Sequence, residues 1–286
     1  YRGHGDWRYK LVPGIYRDNN KNILACESSC IKDIVATYPE YFKDCVSALD
    51  FLSVLQHHAF PTRLLDFSEN PLIALYMACD NDNDAHADSM RISVPTQYFK
   101  YYDSDTVSVL SNLAFAEDSI RVNTETFSGD CYSEEDIKLF NKQEDIKKLV
   151  HLIRSEKPFF KPEINPQHLQ GSILFVKPKQ TFNRISRQSG LFALFGIDDD
   201  KYHFPQIEFM NPPCDIRHYI VPASHKKVIL EELSQINITQ ASIYCDMEHI
   251  AKHYIKKMQD DKEIDKRIAL REKEEKEFND ELINSF

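Results

Sequence analysis

The sequence predicts an α+β fold in which a mixed, mainly antiparallel sheet forms a cleft flanked by helices. Three observations carry this. Short runs of strand composition recur along the 286 residues: MRISVP (90–95), GSILFVK (171–177), RQSGLFALFG (187–196) and RHYIVP (217–222). Longer stretches between them place apolar residues at helical spacing. Polar blocks far apart in the chain, Tyr1–Gly3, 56–63 and 187–190, are of the kind that converge at a site, here one cleft.

The elements follow in order. Residues 1–17 are a strand end and a loop punctuated by Asp6, Pro13 and Gly14. Residues 27–56 are helical in pattern, with Val46, Leu49, Leu52 and Leu55 on one face. Pro61 breaks the chain. Ser68 or Asn70 then caps a new helix, with Pro71 in its first turn and Leu72, Ala74, Leu75 and Ala78 along it. DNDNDAHAD (80–88) is a polar loop. After the strand at 90–95, segments 105–117 and 134–153 predict helices, and KPFFKPEINPQ (157–167) a Pro-dotted linker. The strands at 171–177, 187–196 and 217–222 precede a helix at 225–235. That helix opens on His225, Lys226 and Lys227, the wrong sign for a helix N-terminus. Ser242 to Lys257 is a further helix. From 258 to 286 the chain is densely charged. Glu263–Arg267 and Glu272–Lys276 are favourable i,i+4 pairs, which predicts a helical tail that docks on the domain or binds a protein partner.

Composition narrows the function. A formal net charge of -10 lacks the electrostatic footprint of a general nucleic-acid binder. No GxGxxG or GxxxxGK[ST] occurs, against a Rossmann or P-loop phosphate cradle. The cysteines (Cys26, Cys30, Cys45, Cys79, Cys131, Cys214 and Cys245) are odd in number and scattered, the pattern of free thiols in a reducing cytoplasm. No apolar run approaches the ~18 residues of a membrane-spanning helix.

The densest polar cluster is Gln56, His57, His58, Thr62, Arg63, Asp66, Glu69 and Asn70, separated by Phe60, Leu64, Leu65, Phe67 and Leu72. Polar groups among apolar ones must find partners on folding. Asp66 is placed to receive the Arg63 fork, and losing a buried partner of this kind costs about 3–5 kcal/mol, so Asp66→Ala is expected to destabilise the fold. The cluster is either a buried Arg–Asp–His network or a ligand pocket at a helix N-terminus, where Arg63 and the backbone near Asn70 face an anion such as a phosphate. His57 and His58 diverge in direction with no ligand-spaced Cys or carboxylate, so no metal set is assigned.

YRGHGDWRYKLVPGIYR (1–17) and LQHHAFPTRLLDFSENPLIALYMA (55–78) resemble the two signature blocks of the FRG domain family. LFVKPKQTFNRISRQSGLFALFG (174–196) and YIVPASHKKVILEELSQINITQASIYCDMEHIAKHY (219–254) are similar to its third and closing blocks, so the resemblance spans an FRG domain of 1–257. The family's usual Gly before the Pro-Thr-Arg segment is Ala59 or Phe60 here, and its usual Trp is Phe67. The Tyr-Arg-Gly opening is also similar to the first-strand Arg motif of Arg-Ser-Glu-type ADP-ribosyltransferases. This implies an ADP-ribosyltransferase-like scaffold with NAD as substrate. The implied catalytic set is Arg2, Ser189 and a carboxylate, Glu69 or Glu208, that stabilises positive charge on the ribose, with His58 beside them. The implied nucleotide contacts are Tyr1, Arg2, Gly3, Gln56, Thr62, Arg63, Asn70 and Gln188; Gly3 lets the backbone approach the ligand closely.

Three functions follow. The first is an NAD-consuming ADP-ribosyltransferase or NAD glycohydrolase, suited to stress or phage defence. The second is a nucleotide- or partner-sensing module on the same scaffold, without turnover. The third is a metal-independent nuclease using His57 or His58 with Arg63.

Overall fold

The computed structural model describes residues 1–81, 84–122, 132–179, 183–198, 200–211 and 213–244. The charged tail 258–286, and all but the first residues of the helix expected at 242–257, lie outside them. The strands are β1 (Arg2–His4), β2 (Leu64–Ser68), β3 (Ala87–Ser93), β4 (Phe99–Tyr101), β5 (Ile173–Lys177), β6 (Gly190–Phe195) and β7 (Asp215–Val221). The helices are α1 (Lys21–Leu24), α2 (Glu27–Thr37), α3 (Ala48–His57), α4 (Pro71–Cys79), α5 (Asp105–Asn112), α6 (Glu134–Phe140), α7 (Glu144–Glu156), α8 (Asn183–Arg187), α9 (Lys226–Gln235) and α10 (Gln240–Ile243).

The fold is mixed α and β and rich in antiparallel pairing, as expected, but the strands divide into two sheets. One has the order β1-β3-β7; the other has the order β2-β6-β5-β4. All pairings are antiparallel except β4 with β5. The sheets meet at one corner, where Ser68 N donates to Tyr1 O at 2.8 Å and the Tyr1 amino group to Ser68 O at 2.7 Å.

Alternation along β2 separates two cores. Leu64 joins Leu52, Leu110, Leu149, Leu174 and Leu194 in the core between this sheet and helices α2, α3, α5 and α7. Leu65 and Phe67 join Ile15, Met90, Phe175, Leu191 and Phe195 in the core shared with the β1-β3-β7 sheet. On the other side of that sheet lies α4, apolar nearly all round because α9 covers it through Ile73, Tyr76 and Leu233.

Local chemistry explains the element ends. The helix expected over 27–56 is two helices: Pro39 disfavours the α conformation at Tyr38, and Ser47 starts α3 with a capping box to Asp50. The helix expected over 134–153 breaks at Asn141, whose amide donates to Ile137 O and Ile164 O and accepts from Ile164 N. Asn70 caps α4 by accepting from Leu72 N at 2.9 Å, with Pro71 first in the helix, as the sequence predicts. Ala59 has φ 61°, the left-handed conformation that suits the family's glycine. Lys226 opens α9 against the helix dipole because its ammonium is a tie: Nζ donates to Gly5 O at 2.9 Å and to Asn81 Oδ1 at 2.8 Å.

Gly3 is needed for packing. A Cβ there would sit 2.0 Å from Ala74 O and 2.5 Å from Ala78 N, both α4 backbone. The close approach expected of a ligand at Gly3 is made by α4 instead. Backbone cannot rotate aside, so Gly3→Ala is expected to destabilise the fold by about 1–3 kcal/mol, the range of overpacked cores. Urea unfolding of the variant checks this; an unshifted midpoint contradicts the packing described.

Candidate functional site

The Thr62–Asp66 segment sends its polar groups to opposite faces of β2. Asp66 faces α3, where Gln56 Nε2 donates to Asp66 Oδ2 at 2.8 Å and Gln56 Oε1 accepts from Thr62 Oγ1 at 2.7 Å. Thr62 Oγ1 in turn accepts from Leu64 N at 3.1 Å. Arg63, three residues from Asp66, faces the other core. The expected Arg63–Asp66 pair therefore does not form: in extended chain an odd separation puts two side chains on opposite faces.

Arg63 pairs instead with Glu27, at the start of α2. Arg63 Nε donates to Oε1 and Oε2 at 2.9 and 3.0 Å, Nη2 to Oε2 at 2.6 Å, and Nη1 to the Tyr16 hydroxyl at 2.6 Å. Arg63 is 0% and Glu27 1% exposed. Burial opposes the charge, but Glu27 outweighs it and holds the Arg63 pKa above its ordinary value. Lys201, also buried, donates to Ala116 O at 2.7 Å and lies 3.3 Å from Asp118 and 3.7 Å from Glu27. Burial lowers its pKa, against the attraction of Glu27. Glu27 and Lys201 escaped sequence reasoning; Glu27 is 36 residues from Arg63 and no local motif marks it. Arg63 belongs to this lock, and its guanidinium faces neither His58 nor solvent.

Arg2 is placed differently. It is half-buried over the Phe67 ring, with its guanidinium carbon 5.8 Å from the ring centroid. Nη1 donates to Asp66 O, and Nε donates to His4 Nε2 at 2.8 Å. Among the described residues no carboxylate lies within salt-bridge distance of Arg2, and its Nη2 has no hydrogen-bond partner. Burial lowers its pKa to about 10; the Asp66 charge works the other way and the Arg17 charge adds to the lowering. It stays cationic at neutral pH. Burial, and after it the Arg2 charge, lower the His4 pKa to about 3, so the ring is neutral and Nε2 accepts.

Glu69 and Ser189 share this corner. Glu69 N donates to Ser189 O at 2.9 Å, one step beyond the Ser68–Gly190 pair, and Ser189 sits at φ 46° in the turn before β6. Glu69 is exposed and lies 2.9 Å from Lys177 Nζ. Residues two apart share a strand face, so Glu69 and Lys177 extend the face of Phe67 and Phe175, whose rings meet edge to face at 5.4 Å. Arg2 sits over that face.

The remaining predicted residues divide. Tyr1 is at the corner through Ser68, and Gln188 through its carbonyl, which accepts from Ser68 Oγ at 2.6 Å. Gln188, Gln56 and Asp66 line a cavity of about 30 Å³, and the buried Gln188 Nε2 has no hydrogen-bond partner among the described residues. That volume holds a water or two and no dinucleotide. Asn70 is committed to the α4 cap. His58 is apart, exposed beside Tyr41 on a mainly apolar groove with Phe42, Phe60 and Pro61. Glu208 is also apart, on the short helix Ile207–Phe209 beside a groove of about 810 Å³ lined by Tyr98, Lys100, His168, Phe204 and Phe209. The described cysteines Cys26, Cys30, Cys45, Cys79 and Cys214 are free thiols, and no described helix is long and apolar enough to cross a membrane.

No curated protein and no solved structure matches the chain. The family model of the FRG domain matches residues 1–87, a stretch that ends at the first residue of β3. The Tyr-Arg-Gly strand, the Thr62–Arg63 segment and the Asn70-capped helix all fall inside it, and residues 1–87 carry the FRG domain.

Proposed function

We propose that this chain handles an anionic nucleotide through Arg2, that NAD is the nucleotide, and that the chain consumes it as an ADP-ribosyltransferase or NAD glycohydrolase. The observation that supports this is the desolvated Arg2 guanidinium, cationic at neutral pH, with no carboxylate partner among the described residues and a free donor for a phosphate oxygen. The corner also favours one carboxylate. Glu69 stands beside Ser189 on the face below Arg2, whereas Glu208 is on the short helix Ile207–Phe209, away from this corner. Cleaving the nicotinamide–ribose bond builds positive charge on the ribose, which a carboxylate at Glu69 stabilises.

The test is nicotinamide release from NAD by the purified chain. Glu69→Gln is expected to slow release by about 10²-fold, the scale for removing one electrostatic stabiliser, with Glu208→Gln unchanged. Equal rates for wild type and Glu69→Gln would remove Glu69 from the reaction.

A second reading, a module that senses a nucleotide without turnover, is favoured by two observations. Glu69 is already paired with Lys177, and the enclosed space next to Gln56, Asp66 and Gln188 is only about 30 Å³. It predicts saturable NAD binding with no nicotinamide formed.

A further inference from the structure

We propose that His218 and Asp88 form a general-base dyad that activates the acceptor for the ligand held by Arg2, so that the acceptor chemistry sits on β7 and β3. The inference rests on the NAD-consuming reading. His218, on the edge strand β7, is exposed, and its Nδ1 lies 2.6 Å from Oδ2 of Asp88 on β3. Asp88 is 2% exposed, and its Oδ1 has no partner among the described residues. A carboxylate only accepts, so the bond fixes the proton on Nδ1 and leaves Nε2 as the free base on the exposed ring. A buried acid that sets the tautomer of an accessible imidazole is the arrangement that nucleophile activation requires.

The sheet register ties the dyad to Arg2. Arg2 pairs with Met90, and Met90 pairs with His218. Residues directly opposite share a face, so Arg2 and His218 stand on one face of the sheet two strand spacings apart, about 10 Å between backbones. The charged and titratable groups around the dyad on that face are Arg2 and His4 from β1 and Asp88 from β3, with the Arg17 charge from the loop after β1 also acting on Arg2 and His4. Met90, 2% exposed, is the residue between them on that face.

With water as acceptor the step balances. The ribose C1′–nicotinamide bond breaks and its electron pair leaves with the nicotinamide nitrogen. The water oxygen bonds to C1′, and its proton passes to His218 Nε2 and on to solvent. Asp88 steadies the imidazolium. NAD and water give ADP-ribose, nicotinamide and one proton.

The experiment measures nicotinamide release and calorimetric NAD binding for wild type, His218→Ala and Asp88→Asn in the full chain. His218→Ala is expected to slow release by about 100-fold or more, the usual contribution of a general base, with NAD affinity kept within about threefold. Added imidazole should restore part of the rate, which a structural role for His218 would not permit. Asp88→Asn should slow release with binding kept, because an amide no longer selects the tautomer. A wild type that releases nicotinamide, with His218→Ala equally fast, overturns the dyad and leaves the NAD reading standing. A wild type that binds NAD and releases nothing overturns the dyad and consumption together, and a wild type that does not bind NAD removes the ligand as well.

Discussion

Glu27→Ala is expected to lower the stability of the fold by about 3–5 kcal/mol, the cost of leaving a buried charge without its partner. The variant strips the Arg63 guanidinium of three hydrogen bonds and leaves it at 0% exposure with the Tyr16 hydroxyl as its remaining side-chain acceptor. Lys201, 3.7 Å from the same carboxylate, loses a counter-charge too. The lock joins α2, the Tyr16 turn and the chain entering β2, so its loss loosens the platform from which Phe67 carries Arg2. Asp66→Ala is the control. Asp66 is half-buried and accepts one side-chain hydrogen bond, from Gln56, so the variant is expected to cost about 1 kcal/mol. Urea denaturation followed by circular dichroism compares the two. Equal effects, or a larger one for Asp66→Ala, would contradict the assignment of Glu27 as the partner of Arg63.

Which parts of the structure the sequence announces depends on how local their causes are. The α4 cap is visible because Asn70 and Pro71 act on adjacent backbone. Strands β5, β6 and β7 are visible as apolar or β-branched runs. Strand β2 is not: its two faces serve two cores, so Leu64 and Leu65 are both buried and the alternation that marks a half-exposed strand is absent. Missing β2 had a direct chemical consequence. Without the strand, Arg63 and Asp66 look like natural partners; with it, parity sends them to opposite faces, and the partner of Arg63 comes from 36 residues upstream. Of the polar blocks expected to share one cleft, Tyr1–Gly3 and 187–190 meet at the Ser68 corner, whereas Arg63 and His58 of the 56–63 block lie elsewhere. The His218–Asp88 pair was not legible, since a lone His and a lone Asp 130 residues apart carry no motif, and only the β3–β7 register brings them together.

Arg2→Ala is expected to weaken NAD binding by about 10- to 100-fold, since hydrogen bonds made by a charged group contribute about 1.5–3 kcal/mol. Arg2 also ties β1 to Asp66 O and packs on Phe67, so the alanine variant is checked for folding by circular dichroism. Arg2→Lys serves beside it: it keeps the positive charge and loses the planar fork, and an intermediate affinity is expected. Isothermal titration of NAD into wild type and the folded Arg2→Ala variant tests the Arg2 site directly. Saturable binding to wild type and its loss or strong weakening in the variant are expected; no binding to wild type at millimolar NAD, or equal binding to both, would contradict the role of Arg2.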